Sequence, residues 1–356
     1  MAAVNRQTSV VVRSAHPGEG AAISGLWREL WDAHEGWGGY AATHDDEVYA
    51  RLSLRLDDDA RARAGQPILG RHIHVIATFE GAIAGQVEGW FERHGVDPQT
   101  PNTCEVRSLI VASWARGAGV GRALLEGLGG AVGRLARGAG VLLAAEVLWP
   151  NPAYAFYVRL GYVPVSWSLR VASDAAAAVP AAMRPPGGES YAARVAEPRD
   201  ALAMCILDTT LATRRRAMGD LRFDKPRAVD ATSVGAIAAH LARQGTHLSD
   251  SLELVATDRS GQVRASATFG TGSLDPPFVS GRRALLGRFA ADPALDAAAL
   301  TAPIVALGRR LAAQGGAPTM ELTDLPPPGT PLYQGGLACG ATPWSRILTK
   351  LLPPRT

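Results

Sequence analysis

The stretch Val111–Gly129 reads VASWARGAGVGRALLEGLG and joins an apolar run to a helical one through a glycine-rich turn. Without Cβ atoms, such a turn lets backbone N–H groups point into one concavity, and the start of the helix adds a partial positive charge. The turn is therefore predicted to hold a phosphate group, with Arg116 and Arg122 as cationic donors. A merely flexible glycine loop is the alternative. The GK[ST] ending of nucleotide triphosphatase loops is absent, and the glycine spacing does not suit a dinucleotide-binding turn.

Composition limits the class of protein. The chain has 356 residues, of which 47% are hydrophobic, and this length predicts about two domains. Its net charge is +3, and no basic block is interleaved with aromatic residues, so nucleic-acid binding is not expected. No run of about 18 apolar residues occurs, and the N-terminal residues lack the pattern of a signal peptide. These observations predict a cytoplasmic protein without a membrane span.

Patterns typical of strands and helices alternate along the first half of the chain. An apolar strand near residues 9–13 precedes an amphipathic helix, and a later strand pair turns at Glu80 and Gly81. A central strand then leads into the glycine-rich turn, and a helix follows over 119–137. This order predicts a mixed α/β fold.

The second half of the sequence repeats parts of the first. A shift of 179 residues aligns Pro152 with Pro331, Tyr154 with Tyr333, Gly161 with Gly340 and Pro164 with Pro343. Because the order of patterns also repeats, we infer an internal duplication. The predicted domains are residues 1–171 and 222–356. The Ala-, Pro- and Gly-rich residues 172–221 are predicted to form a linker, with one helix near Leu202 to Arg216.

Two motifs carry a resemblance to a known family. The first is Arg/Gln-x-x-Gly-x-Gly/Ala after a central strand, matched by Arg116, Gly119 and Gly121. The second lies further along the chain in NPAYAFYVRLGY, where Asn151 and Tyr157 fill characteristic places. With these motifs, residues 8–171 resemble the GNAT superfamily of N-acetyltransferases, and residues 222–350 resemble it weakly.

The resemblance implies two tandem GNAT-like domains, each a splayed mixed sheet flanked by helices. Acetyl-CoA would lie in the opening beside the central strand, with amides of the turn on its pyrophosphate and strand backbone along its pantetheine arm. The residues that the resemblance assigns to the cofactor are Leu109, Ile110, Val111, Arg116, Gly117, Ala118, Gly119, Val120, Gly121, Arg122 and Asn151.

The resemblance also assigns catalytic roles. Tyr157 would donate a proton to the leaving thiolate, and Glu105 on the central strand would act as a base through water. Backbone N–H groups near Ile110 and Val111 would stabilise the oxyanion. Two structural alternatives stay open: Tyr157 as a packing aromatic, and Glu105 as the partner of Arg107.

Other candidates are weaker. His72 and His74 share one face of a strand, but no third metal ligand follows, so no metal is expected. Cys104 has no histidine beside it in sequence, and the three cysteines are predicted to be buried thiols. The acidic stretches HDDE (44–47) and LDDDARA (56–62) could attract a cationic amine, but a solvated helix face is the favoured interpretation.

The second half lacks the chemistry of the first. The shift of 179 places Asp296 at Gly117, Thr330 at Asn151 and Gly336 at Tyr157, so this repeat is predicted to be degenerate. The expected activity is direct transfer of an acetyl group from acetyl-CoA to a primary amine of a small molecule, in a ternary complex. The alternatives are another acyl group, a protein amine as acceptor, or a CoA-binding module without turnover. The expected assembly is a monomer that is a pseudo-dimer of repeats, or a homodimer.

Overall fold

The computed structural model describes residues 9–94, 101–183, 190–223, 228–244, 251–274 and 276–354. The chain divides into two compact units. Unit 1 comprises Met1–Val163, Pro276–Val279 and Leu348–Thr356, and unit 2 comprises Pro164–Asp275 and Ser280–Ile347.

Unit 1 is a mixed sheet with helices. Its elements are β1 (Val11–Arg13), α1 (Gly20–Gly36), α2 (Asp46–Arg63), β2 (Ile68–Leu69), β3 (His72–Phe79), β4 (Ala82–Glu92), β5 (Asn102–Val111), α3 (Val120–Ala136), β6 (Val141–Leu148) and α4 (Ala153–Arg159). The strand order is β1-β3-β4-β5-β6, and β2 pairs with β3. The β5–β6 pair is parallel and the other pairs are antiparallel.

Local sequence explains the hairpin and the packing of α3. Glu80 and Gly81 both have positive φ, which is the two-residue turn that matches the twist of paired strands. The apolar residues of α3 recur every fourth position and are buried against the sheet. The helix approaches closely because β4 carries a glycine there: a Cβ on Gly89 would lie 2.6 Å from Leu128 Cδ1.

The sheet of unit 1 opens between β5 and β6. The two strands pair only over Asn102–Val106 and Val141–Ala145. Ser108 then takes a positive φ of 49°, and the register of β5 against β4 shifts between Gln86 and Glu88. A bulge of this kind bends a strand away from its neighbour. The splayed mixed sheet predicted from the sequence is confirmed.

Unit 2 repeats the order of elements. After β7 (Val163–Ala172), these are β8 (Ala192–Val195), α5 (Ala201–Ala217), α6 (Ala231–Arg243), β9 (Leu252–Thr257), β10 (Val263–Leu274), β11 (Gly281–Ala291), α7 (Ala297–Gln314), β12 (Thr319–Leu325), α8 (Pro331–Ala338) and β13 (Thr342–Leu352). The strand order is β7-β12-β11-β10-β9-β8. From β8 to β13 the series matches that from β1 to β7, apart from the short β2.

The repeated series begins earlier than the sequence indicated. Its first two elements, β8 and α5, lie inside the predicted linker 172–221, of which residues 184–189 are outside the described part of the chain. Residues 221–223, where the predicted linker meets the second predicted domain, form a turn. The repeat extends into the predicted linker because α5 buries Met204 and Leu207 in the core of unit 2. The two faces of α5 differ little in hydrophobicity, so its sequence gives only a weak amphipathic pattern. The compact units divide the chain after Val163, and the predicted domain boundaries at 171 and 222 stay a prediction.

Candidate functional site

A cleft of about 650 Å³ lies in unit 1 where β5 and β6 separate. Its walls are the end of β5, the turn into α3, the start of α4 and the second half of α1. Every residue assigned to the cofactor except Ala118 lines this cleft, and Tyr157 lines it too. The structure therefore brings the two sequence motifs together at one place.

The start of α3 faces the cleft without a side-chain cap. Its N-cap residue is Gly119, with φ 85°, and no side chain in the described structure accepts a hydrogen bond from the first turn. Gly117 also has positive φ, and a Cβ on either glycine would meet nothing within 4 Å. Because the first amides of a helix have no acceptor within the helix, these N–H groups are available to an anion.

The third glycine of the turn serves packing. A Cβ on Gly121 would lie 3.1 Å from Cζ of Phe156 on α4. That distance is shorter than ordinary van der Waals contact, so a side chain here would push α4 away from α3. Gly121 thus holds the two helix starts close to each other at the cleft.

Arg116 has partners inside the protein. Its Nη2 donates to Oε1 of Glu29 on α1 at 3.0 Å, and its Nε donates to the Val111 carbonyl at 3.3 Å. The same Glu29 oxygen accepts from the Ser113 amide at 3.1 Å. Arg116 therefore connects the turn to α1. Arg122, the second arginine of this stretch, also lines the cleft.

Asn151 prepares the start of α4. Its Oδ1 accepts a hydrogen bond from the Ala153 amide at 2.8 Å. This bond fixes the side chain and directs its amide nitrogen, a donor, away from the helix. Asn151 lines the cleft and can offer that donor to a ligand.

Tyr157 is buried at the cleft wall. Its ring meets the rings of Phe156 and Tyr162 edge to face, with centroids 5.5 and 5.1 Å apart. Burial raises the pKa of Tyr157 above its usual value, so the phenol keeps its proton at neutral pH. A protonated phenol in this position has the property that a general acid needs.

Glu105 lies elsewhere. It is exposed on β5, its Oε2 accepts from Arg107 Nη2 at 2.6 Å, and it is not among the residues that line the cleft. Two cleft carboxylates were missed from the sequence, Glu29, which pairs with Arg116, and Glu146 on β6. The signal for Glu146 was present, since it is the one charged residue in the apolar strand VLLAAEVL.

The end of β5 presents backbone groups to the cleft. The Ala112 amide donates to the carbonyl oxygen of Ala84 on β4 at 2.9 Å. Because peptide groups alternate in direction along a strand, Leu109 and Val111 direct theirs to the other edge, where β6 has separated. The N–H of Ile110 points towards β4, as that of Ala112 does. Of the two predicted oxyanion donors, Val111 is therefore the one whose N–H points towards the cleft.

The second half of α1, with Trp37 just after its end, forms a wall that the sequence motifs did not indicate. Leu30, Trp31, Ala33, His34 and Trp37 line the cleft. Burial lowers the pKa of His34 to about 4, so its imidazole is neutral at pH 7. The spacing of three residues between Trp31 and His34 was the signal that they share one helix face, and Trp37 is the residue that follows the end of α1.

The weaker candidates have structural partners. His72 lies 2.8 Å from Arg63 through Nδ1, and His74 lies 2.8 Å from Gln86 through Nε2. Cys104 is buried, and burial raises the pKa of its thiol to about 12. Within the described ranges, no group of three His, Cys, Asp or Glu residues is arranged to hold a metal, and no helix is long and apolar enough to cross a membrane.

The acidic stretches are used in helix caps and ion pairs. Asp45 caps α2, and Asp46 pairs with Arg28. Asp57 accepts from the amides of Gly18 and Gly20 at 2.9 and 2.8 Å, at the start of α1. These contacts agree with a helix-face role for the two stretches.

The second half differs at the start of the equivalent helix. Asp296 is the N-cap of α7, and its Oδ1 accepts from the Ala298 amide at 2.9 Å. A carboxylate of the chain itself thus occupies the anion position that Gly119 leaves open at α3. The two caps are 177 residues apart, so the alignment shift of 179 changes by two at this helix.

Charged side chains also fill unit 2 where β11 and β12 part. The strands pair over Ala284–Leu286 only. Beyond that point Arg222 donates to Asp220 and Asp324 at 2.8 and 3.1 Å, and buried Arg215 donates to Asp220 at 2.6 Å. This network places charged side chains of the chain itself at that opening.

Comparisons with known proteins bear on the family and the fold. A family model described as the acetyltransferase (GNAT) domain matches residues 70–164. A GCN5-related N-acetyltransferase from Sphaerobacter thermophilus has a TM-score of 0.54 at 16% identity, covering 98% of this chain and 97% of that one. The glucosamine N-acetyltransferase region of a fungal multi-domain GH3 β-N-acetylglucosaminidase has a TM-score of 0.52 at 13% identity, covering 96% of this chain and 38% of that one.

A tandem GNAT protein from the clavulanic acid biosynthesis pathway has a TM-score of 0.45 at 17% identity, covering 98% of this chain and all of that one, a likeness too low to carry an argument. No curated protein matches the sequence. At such identities the solved structures establish the fold alone, while the family match covers the strands and helix that build the cleft. Residues 70–164 of this chain therefore form a domain of the GNAT acetyltransferase family.

Proposed function

We propose that the first half of the chain transfers an acetyl group from acetyl-CoA to a primary amine of a small molecule. The observation that carries the proposal is the uncapped start of α3, whose free amides open into the cleft between β5 and β6. A family match to GNAT acetyltransferases supports acyl transfer from an acyl-CoA in general. The acetyl group and the amine acceptor are the proposed specifics.

The cleft offers a separate set of groups to each part of the donor. The amides at Gly117–Arg122 face the position proposed for the diphosphate, and the helix start adds about half a positive charge there. The backbone of β5 from Leu109 to Val111 and the Asn151 amide would hold the pantetheine arm. The thioester would then lie between the bulge of β5 and Tyr157.

The chain can stabilise each change of charge in the transfer. As the amine nitrogen bonds to the thioester carbon, the carbonyl oxygen becomes negative, and the Val111 N–H is placed to stabilise it. As the carbon–sulfur bond breaks, Tyr157 gives its proton to the departing sulfur, which leaves as the thiol. The nitrogen loses one proton to a base, and the products are an amide and free CoA.

Two carboxylates are available as the base. Sequence resemblance assigns the role to Glu105, which would act through water from its exposed position beside Arg107. Glu146 lies on the cleft wall itself. Glu105 is the predicted base, and the activities of E105Q and E146Q distinguish the two residues.

Thiol release from acetyl-CoA in the presence of a panel of primary amines tests the proposal. Removal of a general acid costs about 10²-fold or more, so Y157F should lower kcat by that factor and leave CoA affinity unchanged. The matched control is Y162F, because Tyr162 is buried beside Tyr157 but does not line the cleft. Binding of CoA without thiol release from any amine would instead favour a non-catalytic CoA-binding module.

A further inference from the structure

The second half of α1 crosses the mouth of the cleft. At one end Glu29 holds the Ser113 amide and Arg116, at the turn that follows β5. At the other end Gly39 lies against the end of β6, since a Cβ there would be 3.3 Å from Leu148 Cδ1. The residues of α1 between these two points therefore face the space beyond the proposed thioester, where an acceptor must enter.

Three aromatic side chains form most of this wall. The rings of Trp31 and His34 meet edge to face, with centroids 5.2 Å apart, and those of His34 and Trp37 are 5.6 Å apart. All three line the cleft. We call Trp31, His34 and Trp37 the aromatic wall. Its surface is mostly aromatic, and the ring planes are inclined to each other, at 87° between Trp31 and His34 and at 49° between His34 and Trp37.

The aromatic wall is braced from behind. The ring of Phe278, a residue of unit 1, meets the ring of Trp31 with centroids 4.6 Å apart. The ring of Trp27 also contacts that of Trp31, with centroids 5.6 Å apart. The segment of Phe278 is itself fixed by hydrogen bonds to the backbone of residues 41 and 43, at 2.9 and 2.7 Å. A wall held in this way is preorganised, so a ligand loses little by ordering it.

The charges of the cleft separate its two ends. Arg116 and Arg122 lie at the turn into α3 and Arg159 at the end of α4, whereas the three rings of the aromatic wall carry no cation at neutral pH because His34 is uncharged. Two carboxylates, Glu29 and Glu146, line the same cleft. A sugar or a polyamine needs several polar partners along its length, and the aromatic wall offers few.

We propose that the acceptor is an arylalkylamine, a primary amine joined by a short chain to a flat aromatic ring that packs against Trp31, His34 and Trp37. The inference rests on the proposed function, because it names the acceptor of that same cleft. The ring occupies the aromatic wall and the amine points towards the thioester. Aromatic pairs of this kind add to the gain from buried area alone.

Steady-state kinetics at saturating acetyl-CoA test the inference. Phenethylamine and tryptamine should give kcat/KM at least about 100-fold above spermidine and glucosamine, as expected when a buried ring rather than polar contacts supplies the affinity. W37L should raise KM for phenethylamine by about tenfold or more and leave KM for acetyl-CoA within about twofold. The matched control is W114L, since Trp114 is 54% exposed and does not line the cleft.

The outcomes separate the two proposals. Failure of CoA to bind would overturn both. Turnover with spermidine or glucosamine preferred, or equal effects of W37L and W114L, would overturn the arylalkylamine inference and leave acyl transfer standing. If CoA binds and no amine reacts, calorimetric titration of phenethylamine into the CoA-saturated protein decides. Saturable binding that W37L abolishes supports the inference, and absence of binding overturns it.

Discussion

Asp296 accepts a hydrogen bond from the amide of Ala298 at 2.9 Å, and this bond closes the start of α7 to any external anion. At α3 the same place is held by Gly119, which has no side chain to offer. One chain thus contains both forms of the same helix start, one capped by its own carboxylate and one open to a cleft. The comparison explains why we assign CoA binding to the first half only.

Exchange of Glu105 and of the cleft carboxylate Glu146 for glutamine tests the assignment of the base. E105Q is expected to lower kcat by about 100-fold at unchanged CoA affinity, because a positioned base contributes about 10² to 10⁴ in rate. R107Q is the matched control, since it breaks the same 2.6 Å ion pair and keeps the carboxylate. Rates for E105Q, R107Q and E146Q are compared by thiol release. A loss in E146Q with none in E105Q would place the base on β6.

The neutral His34 predicts a pH dependence of stability. Its folded pKa of about 4 lies below the usual value near 6.5, so the unfolded chain takes up the proton first as pH falls. The stability linked to His34 is therefore present above about pH 6.5 and is lost as the pH falls towards 4. Over this window the wild type should lose about 2 to 3 kcal/mol relative to H34Q.

Urea unfolding of both proteins at pH 7, 5.5 and 4 measures this difference. If the free energies of unfolding of wild type and H34Q fell equally between pH 7 and pH 4, burial would not be holding His34 neutral. The other histidines are common to both proteins, so their contributions cancel in the comparison.

The buried charges of unit 2 predict a large loss of stability. Arg215 and Asp220 are 2% and 0% exposed, and their side chains lie 2.6 Å apart. D220N should lower the free energy of unfolding by about 3 to 5 kcal/mol, because it leaves the Arg215 charge buried without its main partner. R215M/D220N should recover part of this loss, since no unpaired cation remains. Unfolding midpoints in urea measure both, and a loss below about 1 kcal/mol in D220N would contradict this account.

Much of the fold follows from sequence patterns because they report local physics. The turn at Glu80 and Gly81 needs two residues with positive φ, and the apolar period of α3 repeats with the turn of a helix. The helix predicted near Leu202 to Arg216 corresponds to α5. Its place in the second repeat was missed, because its Ala-rich sequence shows little contrast between its two faces and the flanking residues resemble a linker.

The parts of the site that follow from local sequence motifs were predictable. The parts that need contacts between residues far apart in the sequence were less so. The motif residues Gly119, Asn151 and Tyr157 come together as the resemblance implied. In contrast, the pairing of Glu105 with Arg107 was an open alternative because residues two apart share a strand face, whereas no local pattern shows that this face lies outside the cleft. The aromatic wall depends on a bracing contact between Trp31 and Phe278, residues far apart in sequence.

Calorimetric titration of CoA into wild type, G119N and G119D tests the central claim, that the open start of α3 binds the diphosphate. Asn and Asp tolerate the positive φ of Gly119 alike, so the pair differs in charge alone. We predict that wild type binds CoA and that G119D binds about 30-fold more weakly than G119N, which corresponds to a repulsion of about 2 kcal/mol. Equal affinities in the two variants, or no binding by the wild type, would contradict the claim.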